Sequence, residues 1–271
     1  MSYRFEAVES SKSPAFDEAY GALDAEFGPR GELERREVVA RWLDEAAAAP
    51  EEKLQRSYHL LVARDERGSL AGVRDCHVVL DRGEAIAVVY LAHALVLPPF
   101  RRSGLGALLR STPIAIARRV LGDAGMDASK VDILLAAEME PAARDDEASI
   151  IRLLAYGKEG FAAIAPAALP YWQPDFRDLG ALHVSDIEAR PLRLLAVVRF
   201  LGHEGAPTLP KRLARAFVTH LYAVFATHVR PDHLAALEAR TLGVLDALAT
   251  PEVPLLPLPR TIDDEAIERL Q

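Results

Sequence analysis

One short segment of the chain combines arginines and glycines in a pattern suited to binding an anion. The residues from Leu95 to Gly106 read LVLPPFRRSGLG, an apolar stretch followed by two arginines and two glycines. Glycine lets a backbone approach a ligand closely, and the free amides at the start of a helix point towards a bound anion. Arginine adds charge-assisted hydrogen bonds to phosphate. The segment therefore predicts a loop that cradles a phosphate group.

Two common phosphate-binding motifs do not describe this loop. The P-loop requires a lysine after its last glycine, and the loop contains no lysine. The dinucleotide-binding motif requires a third glycine, and Leu109 stands at that position. Taken alone, Gly104-x-Gly106 at a predicted helix start is equally compatible with a structural turn.

A second motif lies downstream of this loop, with a predicted strand at 131–137 between the two. It reads Tyr156-Gly157-Lys158-Glu159-Gly160-Phe161, at the end of a predicted helix. The first motif reads Arg101-x-x-Gly104-x-Gly106 and follows Leu95-Val96-Leu97-Pro98. In this order the motifs resemble the GNAT superfamily of acyl-CoA-dependent N-acyltransferases, whose signatures are Arg/Gln-x-x-Gly-x-Gly/Ala and Tyr-x-x-x-Gly-Phe. The resemblance covers about residues 13–200.

The resemblance implies acetyl-CoA as the cofactor, with CoA as product, and a role for each matched residue. The strand would bind the pantetheine arm through its backbone, and the loop would bind the pyrophosphate. The Val96 amide would stabilise the oxyanion, and Tyr156 would protonate the leaving thiolate, unless it is simply a packed core aromatic. Ser149 occupies a position where the family often has asparagine. The predicted cofactor-binding residues are Leu95, Val96, Leu97, Arg101, Arg102, Ser103, Gly104, Leu105, Gly106, Ala107 and Ser149.

The general base is less well defined by the sequence. Glu138 and Glu140 follow the strand at 131–137 and could hold or deprotonate an ammonium group, and we predict Glu138 as catalytic. The alternative is a solvated acidic loop. His93 is titratable, but strand alternation places it on the face opposite Tyr90. A hydrogen-bonded core histidine is therefore expected there, unless a β-bulge resets the alternation.

Hydrophobic periodicity predicts the elements that position these residues. Pro113 should kink or split the helix after the loop, and the tail at 251–260 should be extended or polyproline-like. The fold class is α/β, and the resemblance implies the GNAT fold, with a mixed, mostly antiparallel central sheet and helices on both faces. The predicted helices are 14–27, 34–48, 104–121, 148–159, 211–228 and 231–249, and the strands are 58–63, 70–80, 85–97, 131–137 and 191–200.

Composition excludes several classes of protein. The 271 residues include 32 Lys and Arg against 40 Asp and Glu, a net charge of −8, which argues against binding nucleic acid or an anionic membrane. The single cysteine, Cys76, cannot form an internal disulfide or a cysteine-based metal site, and no histidine pair has zinc spacing, so no metal is predicted. The first residues carry no apolar signal segment and no run approaches the ~20 apolar residues of a membrane span. A cytoplasmic protein is expected.

These observations predict an acyltransferase domain over residues 1–204 and a helical C-terminal extension over 205–271. The extension would pack on the core, extend the acceptor wall or form a homodimer interface. The predicted activity is transfer of an acetyl or other short acyl group from CoA to a primary amine, by direct attack in a ternary complex. Two alternatives remain open: an acyl-CoA-binding sensor without catalysis, and a protein-lysine acetyltransferase that docks its partner through the C-terminal helices. The acceptor is accordingly a small-molecule amine or a protein lysine.

Overall fold

The computed structural model describes residues 2–45, 53–142, 147–175, 190–262, 264–268 and 270. The chain divides into two compact units, unit 1 over Met1–Val131 and unit 2 over Asp132–Gln271. Unit 2 thus contains both the strand that follows residue 131 and the C-terminal helices. The predicted division at residue 204 stays a prediction, and the end of the second predicted helix, at Ala48, lies outside the described residues.

Unit 1 is an antiparallel sheet with helices on both faces. Strands β1 to β4 pair in sequence order, and the short strand β5 also pairs with β3. The elements of unit 1 are β1 (Arg4–Val8), α1 (Pro14–Phe27), α2 (Arg36–Asp44), β2 (Leu54–Arg64), β3 (Leu70–Asp81), β4 (Ile86–Tyr90), β5 (Ala94–Val96) and α3 (Leu105–Asp123).

Neighbouring residues of β2 and β3 contact different helices, as strand alternation requires. Val62 and Val73 are paired across the strands and pack in one core with α1 and α2. Ala63 and Gly72, the next pair, face α3: Ala63 packs with Leu109, and a Cβ at Gly72 would lie 3.0 Å from Leu109 Cδ1. The prediction of helices on both faces is therefore confirmed for this sheet.

The helix that follows the loop is continuous, so Pro113 does not split it as one alternative expected. Proline lacks the amide that would bond to the carbonyl four residues earlier, that of Leu109. The hydroxyl of Thr112 donates to this Leu109 carbonyl over 2.9 Å. A side chain thus satisfies the acceptor that Pro113 leaves free, inside α3.

The prediction of a single strand over 85–97 is wrong at residues 91–93, which separate two strands. Tyr90 on β4 pairs with His77, and Ala94 on β5 pairs with Arg74. Three residues, 91–93, therefore lie opposite two residues of β3. This count defines a β-bulge, which interrupts the ladder and bends the strand.

The bulge also overturns the alternation argument for His93. One extra residue reverses the order of faces, so His93 shares a face with Tyr90. Their contacts show this directly: Tyr90 stacks on His77, and His93 bonds to Asp75, two residues earlier on the same face of β3.

The strands of unit 2 pair antiparallel in the order β6-β10-β7-β12-β11, helices accompany them, and β8 and β9 form a two-stranded ribbon of their own. Together with unit 1, unit 2 confirms the α/β class, the mostly antiparallel pairing and the C-terminal helices. Its elements are β6 (Asp132–Met139), α4 (Glu147–Lys158), β7 (Ala162–Ile164), β8 (Trp172–Gln173), β9 (Leu192–Arg193), β10 (Leu195–Phe200), β11 (Thr208–Pro210), α5 (Lys211–Phe225), α6 (Pro231–Ala247), β12 (Glu252–Pro257) and α7 (Asp264–Glu268).

Helix α4 is fixed within unit 2 by a close backbone contact. A Cβ added at Gly157 would lie 2.2 Å from the Pro259 carbonyl oxygen and 2.8 Å from that of Leu258. No side chain fits in that space. The residues just after β12 therefore pass directly over α4 at this glycine.

Candidate acyl-CoA site

The arginine-glycine loop exposes backbone amides at the start of a long helix. Gly104 precedes α3, a helix of 19 residues, whose first amide, that of Leu105, donates to Ser103 Oγ over 3.4 Å. Gly104 has φ +86°, and Arg102 has φ +63°, both in the left-handed region. The Ala107 amide donates to Gly104 O over 3.1 Å. Among the residues that the structure describes, the amides of Gly104 and Gly106 have no acceptor, so the loop presents unpaired donors and the positive end of the helix dipole.

The two glycines of the motif serve different purposes. The positive φ of Gly104 favours glycine. Nothing lies within 4 Å of a Cβ built on Gly104, so the space beside this residue is open. A Cβ at Gly106 would lie 3.7 Å from Val96 Cγ2. The start of α3 therefore adjoins strand β5.

Strand β5 directs alternate backbone groups to opposite edges. The Leu97 amide donates to Ala71 O over 3.0 Å, and the Asp75 amide donates to His93 O over 3.1 Å, so these residues face β3. In an antiparallel ladder the intervening residue must face the other way. The N–H of Val96 therefore points to the outer edge of β5, where no described residue of unit 1 forms a strand. The Val96 carbonyl accepts from Arg101 Nε at 3.3 Å.

This geometry suits a ligand with a diphosphate followed by an extended chain containing amides. The diphosphate fits the unpaired amides of the loop, and the extended chain fits the outer edge of β5. Acyl-CoA has this composition. Of the three strand residues predicted to bind it through the backbone, only Val96 has its amide on the outer edge, because the Leu97 amide is bonded to β3.

The second motif forms the end of helix α4. The amides of Glu159 and Phe161 donate to the Tyr156 carbonyl, and Gly160 has φ +83°. The ring of Tyr156 packs edge-on against Phe161 at 4.9 Å. Helix termination thus accounts for the glycine and the phenylalanine, whereas the Tyr156 hydroxyl has no partner among the described residues. Ser149, on the same helix, is buried with 2% exposure.

The two candidate acids at the end of β6 lie in different surroundings. Glu138 is half-buried and accepts two hydrogen bonds, from Tyr171 Oη at 2.6 Å and from Gln173 Nε2 at 3.1 Å. Glu140 is exposed and forms an ion pair with Arg152 of α4. Glu138 is therefore a fixed, partly enclosed carboxylate, and Glu140 is an exposed carboxylate paired with an arginine.

His93 is a buried, fully hydrogen-bonded histidine, as expected from the sequence. Its Nδ1 lies 3.1 Å from Asp75 Oδ2, and its Nε2 lies 2.9 Å from the Glu32 carbonyl. Both partners are acceptors, so both nitrogens carry protons and the ring is cationic. Burial opposes this charge, but Asp75 outweighs it and raises the pKa of His93 to about 9. A ring with both nitrogens protonated cannot act as the general base.

Several of these partners could not be identified from the sequence. Asp75 and Gln173 hold the two candidate bases, yet neither belongs to a motif. The sequence did contain one signal for Asp75, because Arg74 and Asp75 are adjacent charged residues inside the predicted strand at 70–80. Both are buried in the structure. Tyr171 is a core residue, with 1% exposure.

The described residues contain no cluster of three histidine, cysteine or acidic side chains that could hold a metal ion. His183 lies outside the described residues. None of the described helices combines the length and apolar character needed to cross a membrane.

Comparison with known proteins finds similarity at the level of structure only. Neither the protein-family models nor the curated proteins contain a match. Among 132 matching solved chains is the IAA acetyltransferase from Bacillus cereus, with 15% identity, a TM-score of 0.40, and coverage of 74% of this chain and 100% of that chain. A Bacillus subtilis acetyltransferase in complex with CoA has 17% identity and a TM-score of 0.39, with coverage of 74% and 99%.

A third structure is a tandem GNAT protein from the clavulanic acid biosynthesis pathway, with 21% identity, a TM-score of 0.41, and coverage of 64% of this chain and 47% of that chain. The superfamily that it names is the one that the two sequence motifs resemble. Because these TM-scores lie below 0.5, the assignment of function depends on the geometry of the loop and of strand β5 in this chain.

Proposed function

We propose that this protein is an acyltransferase of the GNAT type, which transfers an acetyl or other short acyl group from acyl-CoA to a primary amine. One observation carries the proposal: unpaired amides around Gly104 adjoin a strand whose Val96 amide points outward. Together they fit the diphosphate and the pantetheine arm of one ligand. The acceptor is a small-molecule amine or a protein lysine, and the protein acts in the cytoplasm.

Acetyl-CoA supplies a thioester as the acyl donor, and the residues of this chain supply binding and proton transfer. The Val96 amide donates to the oxygen on which negative charge develops. The Tyr156 hydroxyl provides a proton for the departing thiolate. Glu138 holds the amine. Ser149 remains a predicted contact of the cofactor.

Direct attack by the amine is supported by the state of the one cysteine. Cys76 is fully buried, and burial raises the pKa of its thiol to about 12. A thiol in this state is not a nucleophile at neutral pH. An acyl-enzyme on Cys76 is therefore excluded from the proposal, and the acyl group passes to the amine in a ternary complex.

The alternative of an acyl-CoA sensor has one observation in its favour. His93 is fully hydrogen-bonded, and Glu138 already accepts two hydrogen bonds. Both candidate bases are therefore already engaged by other residues of the chain. A sensor would bind acetyl-CoA and release no CoA with any amine, so turnover distinguishes the two functions.

Substitution of Gly104 by glutamate tests the proposal, with thermal shift by acetyl-CoA as the measurement. Wild-type protein at a ligand concentration one hundred times Kd should be stabilised by about 2.7 kcal/mol. Gly104→Glu places a charged side chain in the open space before the loop and should abolish this shift. A shift that persists in Gly104→Glu would reject the site.

Gly125→Glu is the matched control for charge and backbone strain. Gly125 also has positive φ, +68°, and nothing lies within 4 Å of a Cβ built there. It follows the far end of α3, which has 19 residues and is therefore about 28 Å long at ~1.5 Å per residue. This variant should lose stability to a similar degree and retain the full shift with acetyl-CoA.

A further inference from the structure

The further inference concerns Arg101, which belongs to the loop and yet contacts strand β5, and it rests on the proposed function. Arg101 Nε donates to the Val96 carbonyl over 3.3 Å. Its Nη2 lies 4.0 Å from Glu26 Oε2 of α1, and solvent reaches both of these side chains. The guanidinium is therefore engaged by the strand and by α1, all within unit 1.

The contact with Val96 falls on the outer edge of β5. In an antiparallel ladder the N–H and C=O of one residue point to the same edge. The Leu97 amide and the His93 carbonyl bond to β3, so Ala94 and Val96 present their backbone groups outward. Ala94 is exposed, so there is open space beside this part of the strand. Arg101 thus occupies the one outward carbonyl that lies nearest to the loop.

That carbonyl lies on the path of the ligand proposed above. Within a residue the carbonyl follows the amide, so along β5 the Val96 carbonyl lies between the Val96 amide and the loop. A ligand with its diphosphate at Gly104 and its acyl oxygen at the Val96 amide must pass this carbonyl with its extended chain. An amide N–H of the chain would bond to the carbonyl, and the Arg101 guanidinium stands in the place of that amide.

A bound diphosphate offers Arg101 a stronger partner than the strand does. Arg101 lies three residues before Gly104, in the loop whose amides are unpaired. Guanidinium binds phosphate through charge-assisted, often bidentate hydrogen bonds. A single bond to a carbonyl and an exposed ion pair with Glu26 contribute much less. The long side chain can serve the strand or the diphosphate, and each position leaves the other vacant.

We infer that Arg101 determines the choice of acyl donor, because it covers the edge of β5 until a diphosphate engages it. In the free protein Arg101 occupies the Val96 carbonyl and opposes binding of an acyl-pantetheine chain. The diphosphate of acyl-CoA draws the guanidinium to the loop, and the carbonyl then accepts from the pantetheine arm. A thioester without a diphosphate has to displace Arg101 and gains no ion pair in return.

Binding of two ligands to wild type and to Arg101→Met tests this inference: acetyl-CoA, and acetyl-pantetheine, which lacks the diphosphate and the nucleoside. The variant keeps an unbranched side chain and removes both the charge and the donors. Its Kd for acetyl-pantetheine should fall by about fivefold, the scale of one hydrogen bond, because the Val96 carbonyl is free. Its Kd for acetyl-CoA should rise by about fivefold or more, because the lost contact with the diphosphate outweighs that gain. Isothermal titration calorimetry measures both values without turnover.

Arg118→Met is the matched control, because it removes the same charge from another exposed arginine. Arg118 lies in the C-terminal half of α3, away from the loop. Both of its Kd values should equal those of the wild type, which separates a contact of Arg101 from a general loss of positive charge. The Tm of both variants should stay close to that of the wild type, since both side chains are exposed.

The directions of the two changes decide the outcome. A higher Kd for both ligands in Arg101→Met would make Arg101 an ordinary contact of the cofactor and overturn the inference. An unchanged Kd for acetyl-pantetheine, or no binding of it to either protein, would overturn it as well. An acetyl-CoA Kd that does not rise would contradict the engagement of Arg101 by the diphosphate.

The same measurements keep this inference separate from the proposed function. A wild type that binds acetyl-CoA and releases CoA with an amine supports the proposed function, whatever the result for Arg101→Met. A wild type that does not bind acetyl-CoA overturns the proposed function and this inference with it.

Discussion

The Tyr156 hydroxyl has no hydrogen-bond partner among the residues that the structure describes. The carbonyl of Tyr156 closes the end of α4, and its ring packs on Phe161. These contacts explain a large aromatic side chain but not a phenol, because phenylalanine would make them equally well. The proposed proton transfer to the thiolate gives the hydroxyl a purpose.

Tyr156→Phe should therefore lower turnover and leave other properties intact. We expect kcat to fall by about tenfold or more, since a positioned acid typically contributes at least that much. The ring contact with Phe161 is kept, so Tm and the thermal shift with acetyl-CoA should match the wild type. Steady-state kinetics with saturating acetyl-CoA measure the effect, and unchanged turnover would reject the acid role.

At the scale of elements, Gly157 sets how closely α4 packs within unit 2. The carbonyls of Leu258 and Pro259 lie where its Cβ would be, and backbone cannot move aside as a flexible side chain can. Helix propensity alone favours alanine over glycine inside a helix. Glycine at position 157 therefore permits the close contact with the backbone at Leu258 and Pro259, although it does not favour helix formation.

Gly157→Ala should destabilise the protein by about 1–3 kcal/mol, because overpacking outweighs the gain in propensity. Gly122→Ala is the control, since Gly122 is also helical, is exposed, and has nothing within 4 Å of a Cβ built there. That control should instead gain up to about 1 kcal/mol. Urea denaturation of both variants measures the difference, and stabilisation in both would contradict the close contact.

At the scale of the whole molecule, two histidines of unit 1 make the free energy of unfolding depend on pH in opposite ways. Burial, together with Arg119, lowers the pKa of His59 to about 4. The contribution of neutral His59 to the free energy of unfolding is therefore full above pH 6.5, and it is lost as the pH falls from 6.5 towards 4. The pKa of His93 is raised to about 9. The contribution of protonated His93 to the free energy of unfolding is therefore full below pH 6.5, and it is lost as the pH rises towards 9. Stability should therefore be greatest near pH 6–7.

The alkaline side of this profile provides the test. The shift of His93 corresponds to about 3 kcal/mol, which is removed between pH 6.5 and 9. His93→Ala should lower Tm by several degrees at pH 6.5, and its Tm should change little between pH 7 and 9. Differential scanning calorimetry across this range measures both profiles. An alkaline decline as steep in His93→Ala as in the wild type would contradict the assigned charge on His93.

The sequence by itself determined the features that depend on neighbouring residues. Helix α1 begins at Pro14 and ends at Phe27, as predicted, because Pro14 suits a first helical position and Pro29 has no amide to continue the α-helical bonding. The exposed loop at Gly104 followed for the same reason, since its left-handed φ is a local property that glycine allows. The α/β class followed from periodicity, which is equally local.

Only the tertiary structure decided the features that depend on pairing between distant residues. The bulge at 91–93 exists in the register between β4, β5 and β3, so no count along one strand could place His93. For the tail at 251–260 the sequence predicts an extended or polyproline-like segment, and within it Glu252–Pro257 forms strand β12 because it pairs with β7. Glu138 acquired Tyr171 and Gln173 as partners through the packing of helices further along the chain. Each of these features depends on contacts that form only when segments far apart in sequence come together, and a local pattern carries no information about them.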